Sequence, residues 1–148
     1  MKKNISLYSA LVFICVFVWI LPSGCRKAPD YVTVQHILIA FKGSIPESKV
    51  TRNREEAEVL AFEVFERAEK GESFEDLVKE YSDDVFPGIY SMSNFKARPD
   101  EEKGKFLRSR MVQAFGDVSF SLEPEEIGIA KYDPETSKYG WHIIKRLQ

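Results

Sequence analysis

The sequence predicts an α/β domain of the α+β kind, with a four-stranded antiparallel sheet and helices packed around it. Three observations carry this expectation. Strand-like runs stand near both ends of the domain, Val32–Ile39 and Tyr139–Ile144, and each contains one of the chain's two histidines. Apolar residues at three- and four-residue steps mark Thr51–Lys70 as an amphipathic helix. The segments follow one another as β-α-α-β-α-β-β, an order that suits helices laid on a sheet.

The N-terminus does not read as part of that fold. Lys2 and Lys3 precede an almost wholly apolar run, Ile5–Leu21, broken only by Ser6, Tyr8 and Ser9. A basic start followed by an apolar stretch is the pattern of a secretory signal. The run has 17 residues, the short limit for a membrane-spanning helix. It ends in Leu21-Pro22-Ser23-Gly24-Cys25, and small residues just before a cysteine resemble the lipobox of bacterial lipoproteins. That resemblance implies removal of residues 1–24 and a lipid anchor on the Cys25 thiol. Pro22 departs from the usual pattern. An uncleaved signal anchor is the alternative. Either way a short linker, 25–30, tethers a domain, 31–148, on the outer side of the cytoplasmic membrane.

Cys15 lies in the apolar run and Cys25 at its end, so the domain holds no cysteine and stands on its core alone. The chain carries 21 Lys and Arg against 23 Asp and Glu; without Lys2 and Lys3 the balance is 19 to 23. This net charge of −4 gives nucleic-acid binding no electrostatic support. The length suits one domain rather than two.

The elements follow in order. Tyr31–Phe41 is strand-like, with Val34, His36 and Leu38 on one face and Gln35, Ile37 and Ile39 on the other. Gly43, Ser44 and Pro46 make Lys42–Lys49 a loop. In Thr51–Lys70 an apolar stripe runs through Ala57, Leu60, Ala61, Val64, Phe65 and Ala68, and Gly71 is the stop. Ser73 then caps a second helix with acidic residues in its first turn and Phe74, Leu77, Val78 and Tyr81 as its stripe. Both stripes are ordinary core faces. Pro87-Gly88 marks a turn, and Ile89–Phe95 is a short strand. Asn94–Arg110 is charged and weakly periodic; Pro99-Asp100-Glu101-Glu102 starts a helix that runs, weakened at Gly104, toward Phe115. Ile127–Tyr132 and Gly140–Leu147 are the last two strands, joined by a loop at Asp133–Lys138.

These residues resemble the parvulin-type peptidyl-prolyl cis/trans isomerases. His36-Ile37-Leu38 matches the opening of that family's first strand. Lys70-Gly71-Glu72-Ser73-Phe74-Glu75-Asp76-Leu77 is similar to its link between helices, and Tyr81-Ser82-Asp83-Asp84 to its Ser-Asp site. Met111-Val112-Gln113-Ala114-Phe115 resembles its pocket helix. Phe120–Ile127 and Tyr139-Gly140-Trp141-His142-Ile143-Ile144 resemble its two closing motifs, the former without the family's glycine. The likeness covers about 32–147. Two departures stand out. Pro87-Gly88-Ile89-Tyr90-Ser91-Met92 replaces the glycine-rich stretch after the Ser-Asp site, which puts Tyr90 where the family has a pocket leucine. The segment from Phe95 to Arg110 is longer than usual.

The resemblance implies a parvulin-like fold and isomerisation of Xaa-Pro bonds in unfolded or extended proline-containing polypeptides, in aid of exported-protein folding. It implies Met111, Phe115 and Tyr90 as the proline pocket, His36 and His142 as a hydrogen-bonded pair, and Asp84 near the substrate carbonyl. Ser137 falls where many members place a threonine against the histidines. No cofactor and no metal is implied. Two histidines and an aspartate fit a zinc site in residue type, but the family already occupies both histidines. The loop Phe41–Val50 offers Lys42 and Lys49, no arginine pair, and Glu47, which argues against a phosphate-reading site. Without the resemblance, each residue has a plain reading: structural histidines, a turn aspartate, a buried helix face. The rival function is a parvulin-fold chaperone with little isomerase activity; a docking subunit of an envelope complex is a weaker third.

Overall fold

A strand with two different apolar faces needs cover on both sides, and β1 (Tyr31–Ile39) has it. The computed structural model of the chain describes residues 28–148. The apolar run, the signal boundary and Cys25 lie outside the described residues. β1 is the central strand of a five-stranded sheet and pairs antiparallel with β2 (Ile89–Ser93) and with the last strand, β5 (Trp141–Arg146). β4 (Ile127–Ala130) pairs antiparallel with β5.

Those are the four antiparallel strands expected. The structure adds a fifth, β3 (Phe106–Leu107), which runs parallel to β2 and sets Phe106 beside Met92. This corrects the four-stranded count. It also corrects the helix placed from Pro99 toward Phe115. The Asp100 carboxylate accepts from the backbone N–H groups of Glu102 and Lys103 and closes a turn bridged from Asp100 to Gly104. Gly104 then passes so close to the Tyr31 ring and the Ser93 backbone that a Cβ would lie 2.6 and 2.9 Å from them. A glycine at that crossing brings the segment to the sheet edge as a strand. A single 3-10 turn, Arg108–Arg110, follows, and the real helix, α3, spans Gln113–Ser121.

One face of the sheet carries α1 (Arg54–Glu69) and α2 (Phe74–Tyr81). Asn53 caps α1 reciprocally: its side chain accepts from the Glu56 N–H at 2.8 Å and its own N–H donates to Glu56 Oε2 at 2.7 Å. Ala57, Ala61, Val64 and Ala68 pack with Leu77 and Val78 over Ile37, Ile39, Trp141 and Ile143. Each fully buried branched side chain in this layer contributes roughly 1.5–3 kcal/mol relative to exposure. Among the described residues the opposite face carries one helix, α3, whose Phe115 and Phe120 pack with Val32, Val34, Met92 and Ile144. One short helix cannot cover a whole sheet face. The part left open is where His36, Leu38 and His142 point.

Candidate active site

Strand geometry brings the two histidines together. Leu38 faces His142 and His36 faces Ile144 across the β1–β5 ladder, so the rings are diagonal neighbours on one face. They stack at 5.4 Å with 12° between planes, and their Nδ1 atoms are 3.3 Å apart. Both side chains are buried.

Asp84 reaches this pair from the loop after α2. The β2 side of β1 is paired only as far as Gln35. Beyond it, the 82–88 loop takes the place of a neighbouring strand. Ser82 Oγ accepts from the Leu38 N–H at 3.2 Å, the Asp83 N–H donates to the Leu38 carbonyl at 2.8 Å, and the Asp83 carboxylate accepts from the Ala40 N–H at 2.8 Å. The Arg52 guanidinium also grips Asp83. Ser82 and Asp83 thus fasten the loop, and Asp84 is free to point inward. Gly88 closes the loop: the His36 N–H donates to its carbonyl at 2.9 Å, and a Cβ there would lie 2.6 Å from the His36 carbonyl oxygen. With φ at +65°, this position favours glycine on two counts.

Both oxygens of the Asp84 carboxylate are engaged. Oδ2 accepts from His36 Nε2 and from the Tyr90 hydroxyl, both at 2.8 Å, and Oδ1 accepts from the Val85 N–H at 2.8 Å. The His36 bond, then Tyr90 and Val85, hold its carboxyl well below the usual carboxylate range against the opposing effect of burial. A carboxylate only accepts, so His36 Nε2 carries a proton. The contact between the two Nδ1 atoms needs one proton between them, so one ring donates and the other accepts. Burial first, then the neighbouring His36, push His142 down to about 3, so its ring is neutral throughout the physiological range. Its Nε2 makes no hydrogen bond among the described residues. The Ser137 hydroxyl donates instead to the Gly140 carbonyl at 2.9 Å. The expected bond from Ser137 to the histidine pair is therefore absent; Ser137 closes the turn before β5.

Above these groups lies a cavity of about 350 Å³. His36, His142, Asp84, Tyr90, Met111 and Phe115 all line it, and Ser137 does not. Phe115 comes from α3 and meets the His36 and His142 rings at 5.0 and 5.4 Å. Met111 and Val112 sit just before α3, where the 3-10 turn delivers the chain to the rim. Sequence reasoning missed five lining residues. Leu38 was legible, being two residues from His36 on the same strand face. Val112 stands inside the quoted pocket motif. Ile45, Pro46 and Tyr139 belong to loops that fold over the mouth, and no local pattern announces them. No lysine or arginine lines the cavity, and Asp84 is its one carboxylate among the described residues.

An apolar cup with a fixed anion and a histidine pair at its base has the shape and chemistry to receive a proline ring and its amide. Residues 22–148 match the PPIC-type PPIase domain. The chain belongs to this family, the parvulin-type peptidyl-prolyl cis/trans isomerases. It is 33% identical over 132 residues to the putative peptidyl-prolyl cis-trans isomerase dodo of Drosophila melanogaster, covering 84% of this chain and 70% of the relative. Foldase protein PrsA 1 of Bacillus cereus is 31% identical over 68% of this chain, and chaperone SurA of Chromohalobacter salexigens 35% identical over 76%. Those two are longer, and the match spans 30% and 21% of their lengths. The solution structure of TbPIN1 shares the fold with a TM-score of 0.59 at 24% identity, over 80% of this chain and 98% of that one. The Candida albicans isomerase ESS1 does so with a TM-score of 0.54 at 19% identity, over 80% of this chain and 63% of that one.

Proposed function

We propose that this chain is an envelope-anchored isomerase that speeds rotation about Xaa-Pro bonds in exported polypeptides without covalent chemistry. The observation that carries the mechanism is the Asp84 carboxylate held by three hydrogen bonds at the wall of an apolar cavity. Amide resonance sets a barrier of about 18–20 kcal/mol to rotation, and its planar form places negative charge on the carbonyl oxygen. Met111, Phe115 and Tyr90 hold the proline ring. The carbonyl side then faces Asp84, whose charge disfavours the planar, charge-separated form and so favours the twisted one. His36, stacked on His142, holds Asp84 in register. With no cation in the cavity, an acidic or phosphorylated residue before proline is disfavoured. The anchor is the lipid on Cys25, with residues 31–148 as the working domain.

Exposed Val85, Phe86, Ile89 and Phe106 support a second reading, capture of unfolded chains with little turnover. One experiment separates the two. Exchange between cis and trans Xaa-Pro tetrapeptides is measured with the purified protein, alongside suppression of aggregation of an unfolded client. Suppression without any exchange enhancement leaves only the chaperone reading. For the anchor, the mass of membrane-extracted protein should show a diacylated Cys25, and Cys25→Ser should abolish it. An intact Met1 N-terminus would instead mark an uncleaved anchor.

A further inference from the structure

The family resemblance sets Tyr90 where a pocket leucine is expected, and a leucine would also wall the cavity. What the phenol adds is a hydroxyl, and its placement is specific. Tyr90 lies opposite Val34 in the β1–β2 ladder and projects over the α3 face. Its ring is held on three sides: by His36 at 5.2 Å, Phe115 at 5.8 Å and, from the added strand β3, Phe106 at 5.6 Å. The hydroxyl is thereby aimed at Asp84 Oδ2, 2.8 Å away.

That oxygen already accepts from His36, so the tyrosine proton takes its second lone pair. Oδ1 is turned to the Val85 N–H. Without the tyrosine proton, the spare lone pair of Oδ2 would face the cavity and accept an N–H from the extended substrate backbone. Such a bond holds the chain in the planar geometry and weakens as the amide twists, so it deepens the ground state without stabilising the twisted one.

We propose that Tyr90 is a positioning residue, whose hydroxyl fixes Asp84 Oδ2 and denies it to substrate N–H groups, so that the carboxylate acts on the bound amide as a charge. The proposal rests on the isomerase reading of the cavity. Phe106 braces the tyrosine, which gives the longer Phe95–Arg110 segment a part in the site. The electrostatics are consistent: burial and the charge of Asp84 push the Tyr90 phenol up to about 12.

The test is steady-state kinetics of the full chain in detergent with an Ala-Pro tetrapeptide, comparing Tyr90→Phe and Tyr90→Leu with the parent. Both variants should lower kcat about fivefold to tenfold while KM falls or holds, as an added ground-state bond requires. A higher KM with unchanged kcat would show that Tyr90 only walls the pocket and would overturn the proposal, as would unchanged kinetics. Carbon-13 titration of the Asp84 carboxyl provides an arm independent of turnover. Its midpoint should rise in Tyr90→Phe and stay put in Phe106→Leu, which keeps the hydroxyl. An unmoved midpoint in Tyr90→Phe refutes the clamp. If both Tyr90 variants fail to fold, the phenol titration of the parent against Asp84→Asn decides: the midpoint should fall in the variant, and an unchanged one refutes the bond. An inactive parent sinks the isomerase reading, while the two titrations still judge the Tyr90–Asp84 bond.

Discussion

Asp84→Asn removes one charge from the cavity wall and leaves the shape nearly intact. Its consequences can be worked from the site. In the parent, two donors converge on Oδ2 and one on Oδ1. Asparagine has one acceptor oxygen, so either orientation turns its NH2 toward a donor, the Val85 N–H or the His36–Tyr90 pair. Charge-assisted bonds worth about 1.5–3 kcal/mol become neutral ones worth about 0.5–1.5 kcal/mol. The protein should lose roughly 1–3 kcal/mol of stability, readable by urea denaturation. The catalytic cost is separate. A full charge about 4 Å from the carbonyl oxygen, at an effective dielectric of about 20, interacts by about 4 kcal/mol. If twisting the amide moves roughly a quarter of a charge off that oxygen, the carboxylate supplies about 1 kcal/mol of preference for the twisted state. Asp84→Asn should therefore reduce kcat about fivefold in an exchange-spectroscopy assay, with peptide affinity unchanged or tighter. An unaltered rate would refute the electrostatic role. A loss beyond about a thousandfold would refute it in the other direction, since that is the scale of a removed nucleophile.

The remaining predictions follow from the same geometry. Gly88→Ala places a Cβ 2.6 Å from the His36 carbonyl at positive φ, and should cost about 1–3 kcal/mol in urea denaturation while slowing turnover. Met111→Ala removes a wall of the cavity and nothing from its charged base, so KM should rise roughly fivefold with kcat little changed. His142 is held at about 3, below its ordinary value of 6.5, so the unfolded state binds a proton that the folded state does not between those values. Stability should hold above about pH 6.5 and fall as the pH drops toward 3, by at most roughly 5 kcal/mol. His142→Phe should flatten that part of the profile, read as urea midpoints at pH 7 and pH 4.5. Asp84 adds to the loss only below its ordinary carboxylate range, because its depressed value keeps it ionised above that.

How legible this was varied with the range of the interaction. α1, α2 and β1 are local patterns, a 3.6-residue period, a serine cap and a two-residue alternation, and each appears where the sequence places it within a few residues. The histidine pairing came from resemblance; the strand pattern alone put His36 on a face without saying that His142 would lie diagonal to it. The stretch from Pro99 to Arg110 misled because Asp100 has the composition of a helix start and of a turn alike. Gly104 decided between them through a close contact with Tyr31, a residue distant in sequence that no local window contains. Ser137 was placed by the family resemblance, but its hydroxyl, two bonds from the backbone, donates to the Gly140 carbonyl. The bond from Tyr90 to Asp84 was invisible for a related reason: the sequence supplies the phenol, and only the meeting of β2 with the 82–88 loop supplies its partner.

The central claim is that the substrate's proline ring sits in the cup of Met111, Phe115 and Tyr90 with its amide over Asp84. Intermolecular nuclear Overhauser contacts between a bound Ala-Pro tetrapeptide and the protein test it directly, under conditions where cis/trans exchange is being catalysed. The prolyl ring protons should show contacts to the Met111 methyl and the Phe115 ring. Catalysed exchange with the prolyl contacts elsewhere on the surface, and none in this cavity, would contradict it.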